Sequence, residues 1–143
     1  MKKLSLIIFG VLFVVSLSYS QHISIAPFIE KTVAGNQYGT QLLFKTKSNW
    51  NFGGFYQSSL QRNPEGIQLL NPFFGVSASA PLVQTDKLSF HFNTRCGIVN
   101  QVFVVVVPGL ETELKVSKTI SVSAMMSVRM SYPSALLKFN ITL

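Results

Sequence analysis

The sequence predicts an all-β protein, an eight-stranded antiparallel up-and-down transmembrane β-barrel that follows a cleaved signal peptide. Three observations predict it. The chain starts with the layout of an export signal, its remainder alternates apolar and polar residues in eight segments, and only 12% of its residues are charged. Because an ordinary soluble domain carries about 25% charged residues, this composition is poorly suited to a water-exposed surface.

Residues 1–20 have the features of a signal peptide. Two lysines follow the first methionine, residues 4–17 are almost wholly apolar, and Ser18 and Ser20 place small residues at the cleavage region. A basic, an apolar and a small-residue region in this order are typical of secretory signals. The apolar run is also shorter than the roughly 20 residues of a membrane-spanning helix. An uncleaved N-terminal anchor is the alternative.

Residues 21–143 form the single predicted domain, and in eight segments of it the apolar residues recur at every second position, which is the period of a β-strand. The predicted strands span 22–31, 38–46, 50–58, 68–80, 87–99, 102–117, 119–130 and 135–143. Turn-forming residues separate most of them, at 34–36, 48–49, 62–66, 84–86, 117–118 and 132–134. Between the fifth and sixth strands the candidate turn is Asn100-Gln101.

Glycine and proline modify this pattern at two places. Pro108-Gly109 is expected to bulge or interrupt the sixth strand, and Gly53-Gly54 is expected to mark a bend or bulge in the third. The single cysteine, Cys96, excludes a disulfide framework and is interpreted as a small apolar residue on a strand.

Alternation alone does not say which face of each strand points inward. A lipocalin-like soluble barrel buries the apolar face, whereas a membrane barrel turns it toward lipid. The polar faces here are rich in Ser, Asn, Gln and Gly, which are small enough to fill the narrow lumen of eight strands. Most segments also reach the 9–11 residues of a tilted spanning strand. We therefore predict that the apolar faces point outward.

This assignment sends eight charged residues inward, and buried charges must be paired. They are Glu30, Lys45, Arg95, Glu111, Glu113, Lys115, Arg129 and Lys138. The pattern favours a structural plug of ion pairs over a conducting path. A second set of residues, the outward or strand-end aromatics, is expected to form girdles at the membrane interfaces. It comprises Tyr38, Trp50, Phe52, Tyr56, Phe74 and Tyr132.

Together, the export signal, the eight strands and the last strand resemble the small outer-membrane barrels of the OmpA and OmpX type. Leu137, Phe139, Ile141 and Leu143 match the alternating C-terminal strand of that family, although its terminal residue is usually aromatic. The resemblance implies that a barrel assembly machinery reads this strand. It also implies that the termini face the periplasm, with outer connections near 32–37, 59–67, 100–101 and 131–134. The start of the chain is similar to secreted proteins of Bacteroidota.

Catalytic, cofactor and metal sites are not predicted. The chain lacks a phosphate-binding Gly-rich loop, a His-Glu-x-x-His motif, paired zinc cysteines and a Gly-x-Ser-x-Gly elbow. His91, with Ser89 and Asn93 on the same strand face, is the candidate centre for a lipid-modifying enzyme, but it matches no motif of such enzymes. The formal charge of +7 comes from scattered basic residues, and with export this argues against nucleic acid.

The leading functional hypothesis is an integral outer-membrane protein with a structural, adhesive or interaction role and no catalysis. Outer-membrane lipids and lipopolysaccharide are the expected contacts for its basic residues, and the connection from Gln61 to Ile67 is the expected interaction surface. The alternatives are a soluble periplasmic or secreted lipid-binding β-barrel and a lipid-modifying barrel enzyme.

Overall fold

The computed structural model describes residues 20–33, 35–59, 72–99 and 102–143, so almost all of the predicted signal peptide lies outside it. The described chain forms eight strands. They are β1 Ser20–Thr32, β2 Gly35–Thr46, β3 Asn51–Ser59, β4 Phe73–Gln84, β5 Leu88–Val99, β6 Phe103–Lys115, β7 Ile120–Arg129 and β8 Tyr132–Thr142. Within these residues, no helix is long and apolar enough to cross a membrane.

The strands form a closed barrel in which each strand pairs with its neighbours in the sequence and β1 closes the ring with β8. Every pairing is antiparallel. The predicted fold class, an eight-stranded up-and-down barrel of the transmembrane type, is therefore confirmed. Closure gives every strand a hydrogen-bonded neighbour on both sides, which is what a spanning sheet requires, although residues 103–108 of β6 extend beyond the part paired with β7.

The two ends of the barrel differ in what they carry. The terminal end holds the start of β1, the end of β8 and the turns 47–50, 85–87 and 116–119. The distal end holds the connections β1–β2, β3–β4, β5–β6 and β7–β8. These two names are used below.

The distribution of polar and apolar side chains is inverted relative to a soluble protein. In the part of the chain that the structure describes, buried polar or charged residues outnumber buried apolar ones by 17 to 11. Large apolar side chains are instead exposed on the outward face of every strand, as Ile25, Leu42, Phe92, Leu110 and Phe139 illustrate. The predicted inward and outward faces are confirmed along most of each strand. Phe44 is an exception, because it falls on the predicted outward face with Leu42 but is only 6% exposed.

The strand boundaries differ from prediction where proline was taken as a turn signal. The β7–β8 turn was expected at 132–134, but it lies at Met130 and Ser131, which both have positive φ, and Arg129 pairs with Tyr132 across it. Pro133 is instead one of the first residues of β8, a position where a missing N–H is tolerated. The fourth strand runs to Gln84, beyond its predicted end at residue 80, while residues 60–71 lie outside the described chain.

Two expected irregularities are absent, and two unexpected register shifts are present. The pairing register passes through Gly53-Gly54 and Pro108-Gly109 without a shift. Pairing of β6 with β7 starts at Gly109, directly after the proline. The register shifts between Pro81 and Val83 where β4 pairs with β5, and between Ser20 and His22 where β1 pairs with β2. Both shifts lie toward the terminal end.

Inward glycines make room for inward phenylalanines. Gly39 pairs with Phe28 and Gly75 pairs with Phe55 across neighbouring strands. A Cβ atom at Gly39 would lie 2.4 Å from the Phe28 ring. At Gly75 a Cβ would lie 2.1 Å from the backbone oxygen of Cys96, so the strands themselves approach closely there. A narrow lumen can therefore hold aromatic rings because the opposing residue has no side chain.

Replacing Gly75 with alanine should destabilise the barrel by about 1–3 kcal/mol, because backbone must move to admit the methyl group. Gly54→Ala is the matched control on the neighbouring strand, since its Cβ would meet only the Gly75 oxygen at an ordinary 3.7 Å. Urea unfolding of both variants in detergent measures the difference. Equal midpoints for the two variants would contradict a structural requirement for glycine at position 75.

Candidate functional site

The distal half of the lumen is held by a polar network centred on Arg95. Its guanidinium forms an ion pair with Glu30, with Nη2 to Oε1 at 2.6 Å and Nη1 to Oε2 at 3.2 Å. Nη1 also donates to Gln57 Oε1 at 2.9 Å, and Gln57 Nε2 donates to Glu30 Oε2 at 2.8 Å. Glu30 is 0% and Arg95 is 2% exposed. The two opposite charges therefore neutralise each other without contact with water.

Aromatic and apolar side chains surround this network. The Arg95 guanidinium lies 6.0 Å from the Phe28 ring centroid and 5.7 Å from that of Phe55. Phe55 meets Phe73 edge to face at 4.7 Å, and Arg129 lies 4.5 Å over the Phe73 ring. The rings exclude water from the ion pair and fill the space between the strands.

A second polar cluster crosses the lumen nearer the terminal end. Lys138 Nζ lies 2.5 Å from Glu111 Oε1, and Asn93 Nδ2 donates to Glu111 Oε2 at 2.7 Å. Asn140 Nδ2 donates to the hydroxyls of Ser121 and Ser123 at 3.1 and 2.9 Å. The side chains come from β5, β6, β7 and β8, so the cluster ties four strands together.

His91 lies inside the barrel and is 1% exposed. Its Nε2 is 3.5 Å from Glu113 Oε2, which is longer than a good hydrogen bond. Among the described residues neither ring nitrogen has a hydrogen-bond partner. Ser89 and Asn93 share its inward face and are also buried. The ring therefore lies on the lumen side of β5, on the opposite face of the strand from the exposed Phe90 and Phe92.

A polar vestibule of about 530 Å³ opens at the terminal end. Its walls include Lys45, Lys115 and Asn51, and its lining reaches inward to Glu111 and Lys138. Beyond that ion pair the lumen is occupied by the Arg95 network and its aromatic rings. Among the described residues, the interior therefore resembles a filled plug whose terminal mouth is open to water rather than a channel.

The structure brings most of the predicted inward charges together and leaves one at the rim. Two ion pairs form among the predicted inward charges, Arg95 with Glu30 and Lys138 with Glu111. Arg129 donates from Nη1 to Gln37 Oε1 at 2.7 Å, and Ser121 donates to Glu113. Lys115 is exposed at the vestibule mouth. Cys96 is a free, half-buried thiol on β5, in agreement with its interpretation as a strand residue.

The predicted aromatic girdle residues all point outward and are exposed, and they fall toward the two ends of the barrel. Trp50 and Phe52 stack at 5.9 Å near the terminal end. Tyr132 starts β8 at the distal end, and Tyr56 pairs with Phe74 near that end. No cluster of three or more His, Cys, Asp or Glu side chains suited to a metal is found among the described residues.

Sequence reasoning missed the vestibule and the grouping of exposed lysines around it. The available signal was positional, since each of the turns 47–50, 85–87 and 116–119 contains one lysine. Those lysines looked scattered along the chain because only barrel closure brings the turns to one end.

Comparison with solved structures supports the fold. A de novo designed transmembrane β-barrel matches with a TM-score of 0.70 at 7% identity, over 87% of this chain and 97% of that one. The outer membrane protein Ail of Yersinia pestis, solved in a phospholipid bilayer nanodisc, matches with a TM-score of 0.59 at 9% identity, over 85% of this chain and 99% of that one. No family model and no curated protein matches the sequence.

Proposed function

We propose that this chain is an integral outer-membrane protein that acts without catalysis, in a structural or interaction role. The observation that carries the proposal is the inverted polarity of a closed barrel, with charged pairs in the lumen and apolar side chains on the outer surface. Water would leave that apolar surface prone to association, whereas a bilayer would solvate it. The likeness to Ail and to the designed barrel supports the same fold and placement.

The lumen argues against a soluble lipid carrier. Such a barrel needs an apolar cavity for acyl chains, but this interior holds the Arg95–Glu30 and Lys138–Glu111 ion pairs. The vestibule is lined by lysine, asparagine, serine and threonine side chains as well as apolar ones. An acyl chain inserted there would strip water from charged groups without replacing their partners.

An enzymatic role is disfavoured by the position of His91. It is enclosed in the lumen on a rigid strand, and Glu113 is its nearest acidic neighbour. Ser89 and Asn93 are likewise buried. A general base must reach the proton that it abstracts from a substrate, and here the barrel wall lies between the imidazole and any lipid.

The last strand suits the proposed contact with a barrel assembly machinery. Leu137, Phe139 and Ile141 of β8 are exposed on the outward face, and Leu143 follows them. An unpaired form of this strand during folding would offer alternating apolar side chains to a receptor sheet. The OmpA and OmpX type resemblance remains a prediction on which this contact depends.

A role in adhesion or interaction would act through the chain between β3 and β4. Residues 60–71 of that connection, including the predicted surface Gln61–Ile67, lie outside the described residues. The other distal connections join strands that end within a few residues of each other, at Thr32 and Gly35 and at Arg129 and Tyr132. The β3–β4 connection is therefore the segment with enough length to hold a binding surface.

Fractionation of expressing cells tests the proposal. We expect recovery in the outer-membrane fraction, release by detergent but not by salt, and different gel mobility before and after boiling. The folded barrel should resist unfolding by the detergent of the gel because its backbone hydrogen bonds are internal. Recovery from the periplasm without detergent would overturn membrane placement.

A further inference from the structure

The three turns at the terminal end share one design. Each contains an exposed lysine, Lys47, Lys87 or Lys118, and each is closed by a hydroxyl side chain of its own. The hydroxyls of Thr46, Thr85 and Ser117 accept hydrogen bonds from the backbone N–H of Trp50, Leu88 and Ile120 at 3.2, 3.0 and 3.1 Å. The lysines are thus presented around the barrel mouth on ordered turns. They are called the lysine ring below.

The lysine ring is poorly neutralised by acidic side chains. The ion pairs of the described residues lie inside the lumen and use none of its three members. Asp86 is an exposed acid beside Lys87, while Lys115 adds a further exposed positive charge at this end. The lysine ring therefore gives the terminal end an excess of accessible positive charge among the described side chains.

The distal end has a different character. Its described hairpin tips are apolar, since Val33, Val102 and Met130 are all exposed there. Lys31 is the exposed charged side chain of that end within the described residues, and Arg129 points into the lumen over Phe73. Among the described side chains, accessible positive charge is therefore concentrated at the end that carries the termini.

Aromatic residues indicate where the lysine ring lies along the barrel axis relative to the exposed apolar side chains of the strands. Trp50 closes the same turn as Lys47 and stacks outward on Phe52. Tryptophan concentrates at the headgroup level of membranes. Lys47 lies in the turn beyond the hydrogen bond between Thr46 N and Trp50 O, on the side away from the apolar outer surface of the strands. A lysine placed there is within reach of lipid phosphates if Trp50 lies at the headgroup level.

We infer that the lysine ring binds the phosphates of anionic glycerophospholipids such as phosphatidylglycerol. The inference rests on the proposed membrane placement, and it assigns the basic contacts to the periplasmic leaflet if the termini face the periplasm. Lysine binds phosphate as a point charge and needs no shaped pocket. Ordered turns lower the cost of holding three such charges together. Lipopolysaccharide, at the opposite leaflet, would meet the apolar distal rim instead.

Native mass spectrometry of the barrel, purified from the outer membrane in uncharged detergent, tests the inference. Phosphatidylglycerol and phosphatidylcholine with identical acyl chains are added at equal concentrations. We expect phosphatidylglycerol to be retained at least tenfold more strongly, because each lysine near an anionic lipid surface contributes about fivefold. The triple variant Lys47→Gln, Lys87→Gln, Lys118→Gln should lose most of that preference.

Lys31→Gln is the matched control, since it removes an exposed lysine at the distal end. It should leave the preference unchanged. Equal retention of the two lipids by the wild type, or an equal loss in the Lys31→Gln variant, would overturn the inference. Inorganic phosphate at millimolar concentration should not displace the lipid, and displacement would identify a free-phosphate site instead. Heat-modified gel mobility checks the folding of each variant, so failure of the barrel itself is distinguished from failure of the lysine ring.

Discussion

Replacing Arg95 with methionine is expected to destabilise the folded barrel by about 3–5 kcal/mol, because the Glu30 carboxylate would remain buried without its partner. Arg95 makes two hydrogen bonds to Glu30 and one to Gln57, so one substitution disrupts the centre of the distal network. Urea unfolding in detergent or lipid vesicles measures the loss, with the fluorescence of Trp50 as the signal. Trp50 is the one tryptophan of the chain.

The double variant Glu30→Met, Arg95→Met separates the charge effect from packing. Removing both partners eliminates the uncompensated charge, and well-packed apolar replacements of a buried pair are often neutral or stabilising. We expect the double variant to recover more than half of the stability lost by Arg95→Met. A double variant less stable than the single one would mean that the ion pair itself, rather than charge compensation, holds the lumen together.

Arginine at position 124 is expected to block insertion of the barrel. Ala124 lies at the middle of β7, faces outward, and pairs with Thr112 and Leu137. A charged side chain on the lipid face near the bilayer midplane costs about 2–4 kcal/mol. The Ala124→Arg variant should therefore appear in the unfolded gel band and be depleted from the outer-membrane fraction.

Thr119→Arg is the control for that experiment. Thr119 is exposed in the turn just before β7, where the charge would lie at the interface and the cost falls to about 0–1 kcal/mol. It should insert normally. Normal assembly of the Ala124→Arg variant would show that this face of β7 does not meet lipid.

The faces of the strands were predictable because burial on one side imposes a period of two. Phe90 and Phe92 alternate with His91 and Asn93 in the sequence, and the structure places the first two outside and the others in the lumen. The inward charges were predictable as a set for the same reason. The small polar residues on the opposite face indicated which face points inward, since an eight-stranded lumen has little room.

The pairing of those charges was not predictable from the sequence. Glu30 and Arg95 lie on β1 and β5, 65 positions apart, and they meet only because of the stagger between strands around the closed barrel. Strand periodicity contains no information on that stagger. The same limit applies to the lysine ring, whose members lie on three separate turns.

Predictions from turn-forming residue types were wrong where the residues present are not those usually found in the observed backbone conformation. Met130 and Ser131 both adopt positive φ in a two-residue hairpin turn, where Asn-Gly or Asp-Gly would be the usual signal. The turn was predicted too late in the sequence because Pro133 was taken as a turn residue. Gly53 was expected to mark a bulge, but a Cβ there would lie 1.9 Å from the Leu42 oxygen, so the glycine serves a close backbone approach instead.

The apolar hairpin tips of the distal end affect how much of the protein is exposed at the cell surface. Val33, Val102 and Met130 are exposed at those tips, and apolar tips favour a position level with the lipid headgroups rather than above them. In the proposed orientation, these three hairpin tips would then offer little surface to antibodies, phages and proteases outside the cell. An epitope tag for surface labelling belongs in the β3–β4 connection, because the shorter hairpins would hold it against the membrane.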